Sequence, residues 1–201
     1  MAEIIRQPKQ QRSIDKKNRI IASGYELFAE KGYFNTNTAE IAKRAGVSTG
    51  IVYGYFHDKR DILIDVLDIY IEMVSTKLYS VFEERAKDND LSKLVEGMLD
   101  ATVEVHKSNA AIHEALHSLT ASDAQVSEKF LVLENEMTKR FVGYMKELGY
   151  DASDVFERVH VSMTLVQSFS HEEVYDAHSY IDYDKMRKIV IDLIVALFSD
   201  K

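Results

Sequence analysis

The chain of 201 residues contains no cysteine, which excludes disulfides, a thiolate metal site and a cysteine nucleophile. One proline and eight glycines leave few places for turns and favour long helices. No run approaches the roughly 18 apolar residues that a membrane span requires. The opening MAEIIRQPKQQRS is polar, so it has no apolar core of a secretory leader. These absences lead to the expectation of a soluble, cytoplasmic protein. No glycine-rich phosphate loop or Ser/His/Asp order stands out. Hydrophobic residues at 46% are ordinary for a globular protein, and the length can hold one large domain or two smaller ones.

Charge is unevenly distributed. The net charge of −8 argues against a nucleic-acid partner until the chain is divided. Residues 1–60 carry 11 Lys+Arg against 6 Asp+Glu, a balance of +5, whereas residues 61–201 carry 14 against 27, a balance of −13. Phosphate attraction is local, because exposed charges beyond a Debye length of about 8–10 Å are largely screened. An acidic body is therefore compatible with binding through a basic head.

The basic part contains the stretch around which the chain is organised, TNTAEIAKRAGVSTGIVYGYFHDK from Thr36 to Lys59. Asn37-x-x-Glu40 has capping-box spacing. Ile41, Ala42 and Ala45 give a small apolar face, and Gly46 can leave a helix at positive φ. Ser48 is placed to cap a second short helix carrying Ile51, Val52, Tyr53, Tyr55 and Phe56. Asp58-x-x-Asp61 opens the next helix. Two helices and a glycine turn are the layout of a DNA-reading helix-turn-helix. Before it, a helix over Ser13–Lys31 carries Ile20, Ile21, Gly24, Leu27 and Phe28. Gly24 marks a close helix crossing, Gly32 stops the helix, and Tyr33 and Phe34 plug the small core.

The run Gly32-Tyr33-x-x-Thr36, then Ile41-Ala42-x-x-Ala45-Gly46-Val47-Ser48-x-Gly50-x-x-Tyr53-x-Tyr55-Phe56-x-x-Lys59-x-x-Ile62-Leu63, resembles the DNA-binding domain of the tetracycline-repressor (TetR) family. The likeness covers about residues 14–65; the rest is similar only in length and helical character. The resemblance implies an all-α fold, an N-terminal three-helix helix-turn-helix domain followed by a larger helical ligand-binding and dimerisation domain, about nine helices in all. The expected division is a basic arm over residues 1–13, the DNA-binding domain over 14–62 and the body over 63–201. Implied partners are a double-stranded DNA operator, a small-molecule effector and a second copy joined through the last two helices, with no membrane and no cofactor. The expected activity is that of a ligand-responsive repressor, not an enzyme.

DNA-contacting roles fall on Thr36, Asn37, Thr38, Ser48, Thr49, Gly50, Tyr53, Tyr55 and Lys59. Helix N-termini at Asn37/Thr38 and Ser48/Thr49 suit phosphates. Thr49, Gly50 and Tyr53 share a face opposite Val52 and Phe56, which by resemblance enters the major groove. Tyr53, Tyr55 and Lys59 offer hydroxyls and a charge to the backbone. Arg6, Lys9 and Arg12 form either a solvated tail or an arm along the DNA, and Lys16, Lys17 and Arg19 lie near the first helix's start. Ser48–Phe56 contains no Arg, Lys, Asn or Gln, so bidentate base contacts worth about 1–3 kcal/mol each are absent from this helix. Thr49, Ile51 and the Gly50 backbone are expected to read thymine methyls and groove shape.

Beyond it, helical spacing predicts a long helix over Asp58–Lys87, the lever between head and body, then helices over Leu91–His106, Asn109–Leu119, Asp123–Leu148, Ser153–Glu173 and Asp184–Phe198. The last is apolar over more than one stripe and has to bury two faces. His113-Glu114-Ala115-Leu116-His117 matches H-E-x-x-H. A catalytic zinc also needs a third ligand and an open position, so the motif has four readings: zinc hydrolase, metal-sensing pair, pocket wall or hydrogen-bonded interior pair, and plainly exposed histidines. Candidate effector contacts are Met98, Thr102, His106, His113, Leu116, His117, Phe130, Met137, Phe141, Met163 and Gln167. A DNA-binding protein without an inducer, serving a structural or cell-cycle role, is the alternative function.

Overall fold

A computed structural model describes residues 10–199. Among the described residues there are nine α-helices, one 3₁₀ turn and no strand: α1 Gln11–Lys31, α2 Thr38–Ala45, α3 Thr49–Tyr53, α4 Lys59–Arg85, the 3₁₀ turn Ala86–Asp88, α5 Leu91–Ser108, α6 Ala110–Thr120, α7 Ala124–Glu147, α8 Val155–Tyr175 and α9 Tyr183–Leu197. No helix of the described residues is long and apolar enough to cross a membrane.

The chain forms two compact units, one comprising the residues up to Glu72 together with Asn109–Lys129, the other Met73–Ser108 with Phe130 onward. This partition differs from the 62/63 boundary read from the sequence, because α6 and the first turns of α7 group with the head. In the first unit, Ile20, Leu27 and Phe28 of α1, Ile41 of α2, Val52 of α3, Phe56, and Ile62, Leu63 and Val66 of α4 are all buried. Gly24 lets α1 and α4 approach: a Cβ there would stand 2.7 Å from Ile62 Cγ2. On α6, Ile112, Ala115 and Leu116 are buried. Tyr25 donates to Asn109 Oδ1 at 3.1 Å. Arg60 forks onto Asp123, with Nη2 donating to Oδ1 at 2.8 Å and Nε donating to Oδ2. Asp123 Oδ1 also accepts the Val126 amide at 3.2 Å, so the same carboxylate opens α7.

In the second unit Leu99, Val159, Phe169, Val190 and Ile194 are buried, and Phe82 stacks on Phe141 with ring centroids 5.0 Å apart. Arg158 donates to the Leu197 carbonyl and Arg187 to Asp100, tying α8 to the end of α9 and α9 to α5.

Candidate nucleic-acid interface

The start of α2 is built as the sequence predicts. Asn37 Oδ1 accepts the Glu40 amide at 3.0 Å, and Glu40 Oε2 accepts the Asn37 amide at 3.2 Å. Lys31 Nζ holds Glu40 at 2.6 Å and, with the Asn37 amide, keeps its carboxyl below the usual range. Gly46 adopts φ 65° and ψ 38°. Its amide and that of Val47 turn back onto the Lys43 and Ala42 carbonyls at 3.3 and 3.0 Å, which ends α2 and starts the reversal into α3.

On α3 Val52 is fully buried while Gly50 and Tyr53 are exposed and Thr49 half-buried, so the predicted outward face is present. Thr38 Oγ1 and the Tyr53 hydroxyl lie 3.1 Å apart. The N-terminal turn of α2 and the last residue of α3 are thereby tied into one surface, a link the sequence spacing alone did not disclose. Ser48 stands at the N-cap of α3, but its side chain makes no capping hydrogen bond. At α4, Asp58 Oδ1 accepts the Asp61 amide at 3.1 Å and Asp61 Oδ2 accepts the His57 amide at 2.9 Å.

Thr36 does not belong to the DNA-facing set. It is 3% exposed, and its hydroxyl donates to the Gly32 carbonyl at 2.9 Å and the Leu27 carbonyl at 3.3 Å. Just past the helix stop, Thr36 is turned inward, and its hydroxyl reaches the Gly32 carbonyl and one carbonyl of the last turns of α1. Lys59 also faces the loop. Its ammonium donates to the carbonyls of Tyr33 at 2.6 Å and Thr36 at 2.8 Å and sits 4.1 Å from the Tyr33 ring centroid. Burial pushes its pKa down. The Tyr55 hydroxyl is 2.6 Å from Ser13 Oγ, joining the α3–α4 junction to the first turn of α1. Phe34, expected in the small core, is 72% exposed. Tyr33 alone fills that place, edge-on to Phe28 at 5.3 Å.

Of the head's cations, Lys17 pairs with Asp65 at 2.6 Å. Arg44 forks onto Glu30, with Nη2 to Oε2 at 2.8 Å. Arg12, Lys16, Arg19 and Lys43 have no acidic partner among the described residues, which leaves their charge available to phosphates. Arg6 and Lys9 lie outside the described residues.

The effector candidates divide between the units. His113, Leu116 and His117 are in the first and the other eight in the second. In the second, Thr102, His106 and Gln167 are joined. His106 Nδ1 meets the Thr102 carbonyl at 2.8 Å and its Nε2 meets the Gln167 amide nitrogen at 3.1 Å. A carbonyl only accepts, so Nδ1 carries the proton and Nε2 accepts from Gln167. Burial pushes the His106 pKa down.

Residues 20–66 match the model of bacterial regulatory proteins, tetR family. A stretch of 68 residues is 40% identical to the HTH-type transcriptional regulator HbdR of Aromatoleum sp. (strain CIB), covering 32% of this chain and 30% of that protein. A stretch of 72 residues is 38% identical to the uncharacterized HTH-type transcriptional regulator YerO of Bacillus subtilis (strain 168), covering 36% of this chain and 25% of that one. The matched stretches thus span less than a third of the length of these relatives. A transcriptional regulator from Rhodococcus sp. Rha1 shares the fold over 90% of this chain and 95% of its own, with a TM-score of 0.67 and 16% identity. The capped helix-turn-helix and these likenesses agree, and residues 20–66 form a helix-turn-helix head of the type found in bacterial regulatory proteins of the tetR family.

Proposed function

We propose that this protein is a ligand-responsive transcriptional repressor that binds a pseudo-palindromic operator as a dimer and leaves it when a small molecule binds. The observation that carries the reading is the outward surface of Thr38, Thr49, Gly50 and Tyr53, held together by the Thr38–Tyr53 hydroxyl contact at 3.1 Å. Asn37 and Thr38 present a helix N-terminus to a phosphate, and Thr49 and the Gly50 backbone approach base edges. Lys16, Arg19 and Lys43 supply backbone charge.

Dimerisation rests on the outward faces of α8 and α9. Ile189 and Leu193, one turn apart on α9, are 58% and 51% exposed, and Phe156 and Val161 of α8 are exposed as well. A second copy would cover such a self-complementary patch isologously. The effector site is placed around Thr102, His106 and Gln167, whose polar atoms could orient a ligand among apolar neighbours. Release requires the ligand to bind better to the arrangement of heads that does not fit the operator.

Capture of genomic fragments by the purified protein tests the reading. The expected result is enrichment of an inverted repeat, with Thr49→Ala altering base preference and the double variant Ile189→Asp/Leu193→Asp sedimenting as a monomer. No enriched sequence, or a dimer that survives the double substitution, would overturn the corresponding part.

A further inference from the structure

The one motif that DNA binding leaves unused is His113-Glu114-Ala115-Leu116-His117 on α6. Its two imidazoles are one helical turn apart, so they share a face. Their ring centroids are 4.0 Å apart at an interplanar angle of 42°. His113 is 3% exposed, and its Nδ1 lies 3.0 Å from the Tyr70 hydroxyl of α4. That contact orients the ring through Nδ1. A hydrogen bond from one imidazole nitrogen to an oxygen is how metal-ligating histidines are commonly oriented.

We propose that His113 and His117 are two ligands of a divalent transition-metal site in the first unit, with Tyr70 as the positioning residue. One ligating nitrogen of each histidine lies within 4.8 Å of the other's. Two nitrogens bound to one tetrahedral ion at about 2.1 Å stand roughly 3.4 Å apart, so a modest rotation of the half-buried His117 brings them into place. Without a thiolate in the chain, nitrogen donors favour Zn²⁺, Ni²⁺ or Cu²⁺ over Mg²⁺ or Ca²⁺. The exposed Glu114 is not assigned a role, and no hydrolysis is inferred.

Calorimetric titration of the metal-stripped full chain with ZnCl₂ and with NiCl₂ tests the site. One ion per chain is expected, with affinity lowered at least tenfold in His117→Gln and in His113→Ala, and about tenfold in Tyr70→Phe, the usual scale for an orienting partner. His117 is half-buried, so its variant stays folded even where His113→Ala does not. Co²⁺ absorption gives an independent readout of imidazole ligation. Single replacement of His57, His106, His160, His171 and His178 is expected to identify a further imidazole ligand as one more weakened variant. Equal affinity in the parent and in the double variant His113→Ala/His117→Gln, or no binding to the parent, overturns the proposal.

Discussion

Replacing Lys59 by Met separates two roles for the same side chain. As a phosphate contact, Lys59 would contribute to DNA affinity and little to stability. In the structure its ammonium instead closes the loop between α1 and α2 by donating to the carbonyls of Tyr33 and Thr36 at 2.6 and 2.8 Å, with the Tyr33 ring 4.1 Å away. Hydrogen bonds from a charged donor contribute about 1.5–3 kcal/mol each. A cation over an aromatic face adds about 0.5–1 kcal/mol. Against this, methionine has no ammonium to desolvate, and water can reach the vacated carbonyls because the site is only part-buried. The net loss is about 2 kcal/mol, roughly thirtyfold in the folding constant. For a chain of this size that is a fall in Tm of about 4–8 °C, read by circular dichroism. The salt dependence of DNA binding is measured alongside. A lost phosphate contact lowers the log–log slope by about 0.9, whereas a lost loop clamp leaves it unchanged. An unaltered Tm with a reduced slope would refute the clamp and restore the phosphate assignment.

Three further substitutions probe the same unit. Asn37→Ala removes one arm of the capping box and strands the Glu40 amide, an expected loss of about 0.5–2 kcal/mol in urea denaturation, with operator affinity falling as the start of α2 frays. Gly24→Val forces a Cβ to 2.7 Å from the fully buried Ile62 Cγ2; overpacking of this kind costs about 1–3 kcal/mol, seen as a lower urea midpoint. Asp123→Asn tests the Arg60 fork through pH. Arg60 first, and then the Val126 and Gln125 amides, hold the Asp123 carboxyl below its ordinary value. Its contribution is therefore complete above the unfolded value of about 3.9 and is lost as pH falls through the lower folded value. The variant is expected to be less stable than the parent at neutral pH, with the gap closing below about pH 4; a gap independent of pH would exclude the charge as its cause.

The helices were legible because their ends are written locally. Asn37 and Glu40 declare a start, and Gly46 a stop, within one turn of chain, and both behave as read. Gly24 was legible for a related reason: a residue without Cβ inside an apolar stripe has few explanations besides a close crossing. Side-chain partners were less so. Thr36 and Lys59 have the residue types of phosphate contacts, but carbonyls of α1 and of the loop after it take both, Leu27 and Gly32 accepting from Thr36 and Tyr33 and Thr36 from Lys59, a competition visible only once Gly32 has turned the chain. Phe34 failed for the opposite reason. Apolar character alone called for burial, yet Phe28 and Tyr33 already fill that space, and a singly exposed hydrophobe costs little enough to persist. The grouping of α6 with the head depends on Arg60–Asp123 and Tyr25–Asn109, pairs 63 and 84 residues apart that no local pattern announces.

Helix α3 carries the least conventional chemistry for the proposed role. With no Arg, Lys, Asn or Gln between Ser48 and Phe56, α3 cannot make the bidentate pairs that tell one base from another. On α2, Arg44 is committed to Glu30. Under the proposed function, contact of this surface with DNA would be divided between backbone charge, which holds without discriminating, and small contacts at Thr49, Ile51 and Gly50, which would discriminate by methyl groups and groove width. The hydroxyl contact between Thr38 and Tyr53 matters more in such a design, because weak base contacts depend on the whole surface meeting the groove in one register. Loss of that contact in Tyr53→Phe should thus relax preference at several operator positions at once, while Thr49→Ala should relax it at one, and a selection on randomised operators distinguishes the two patterns.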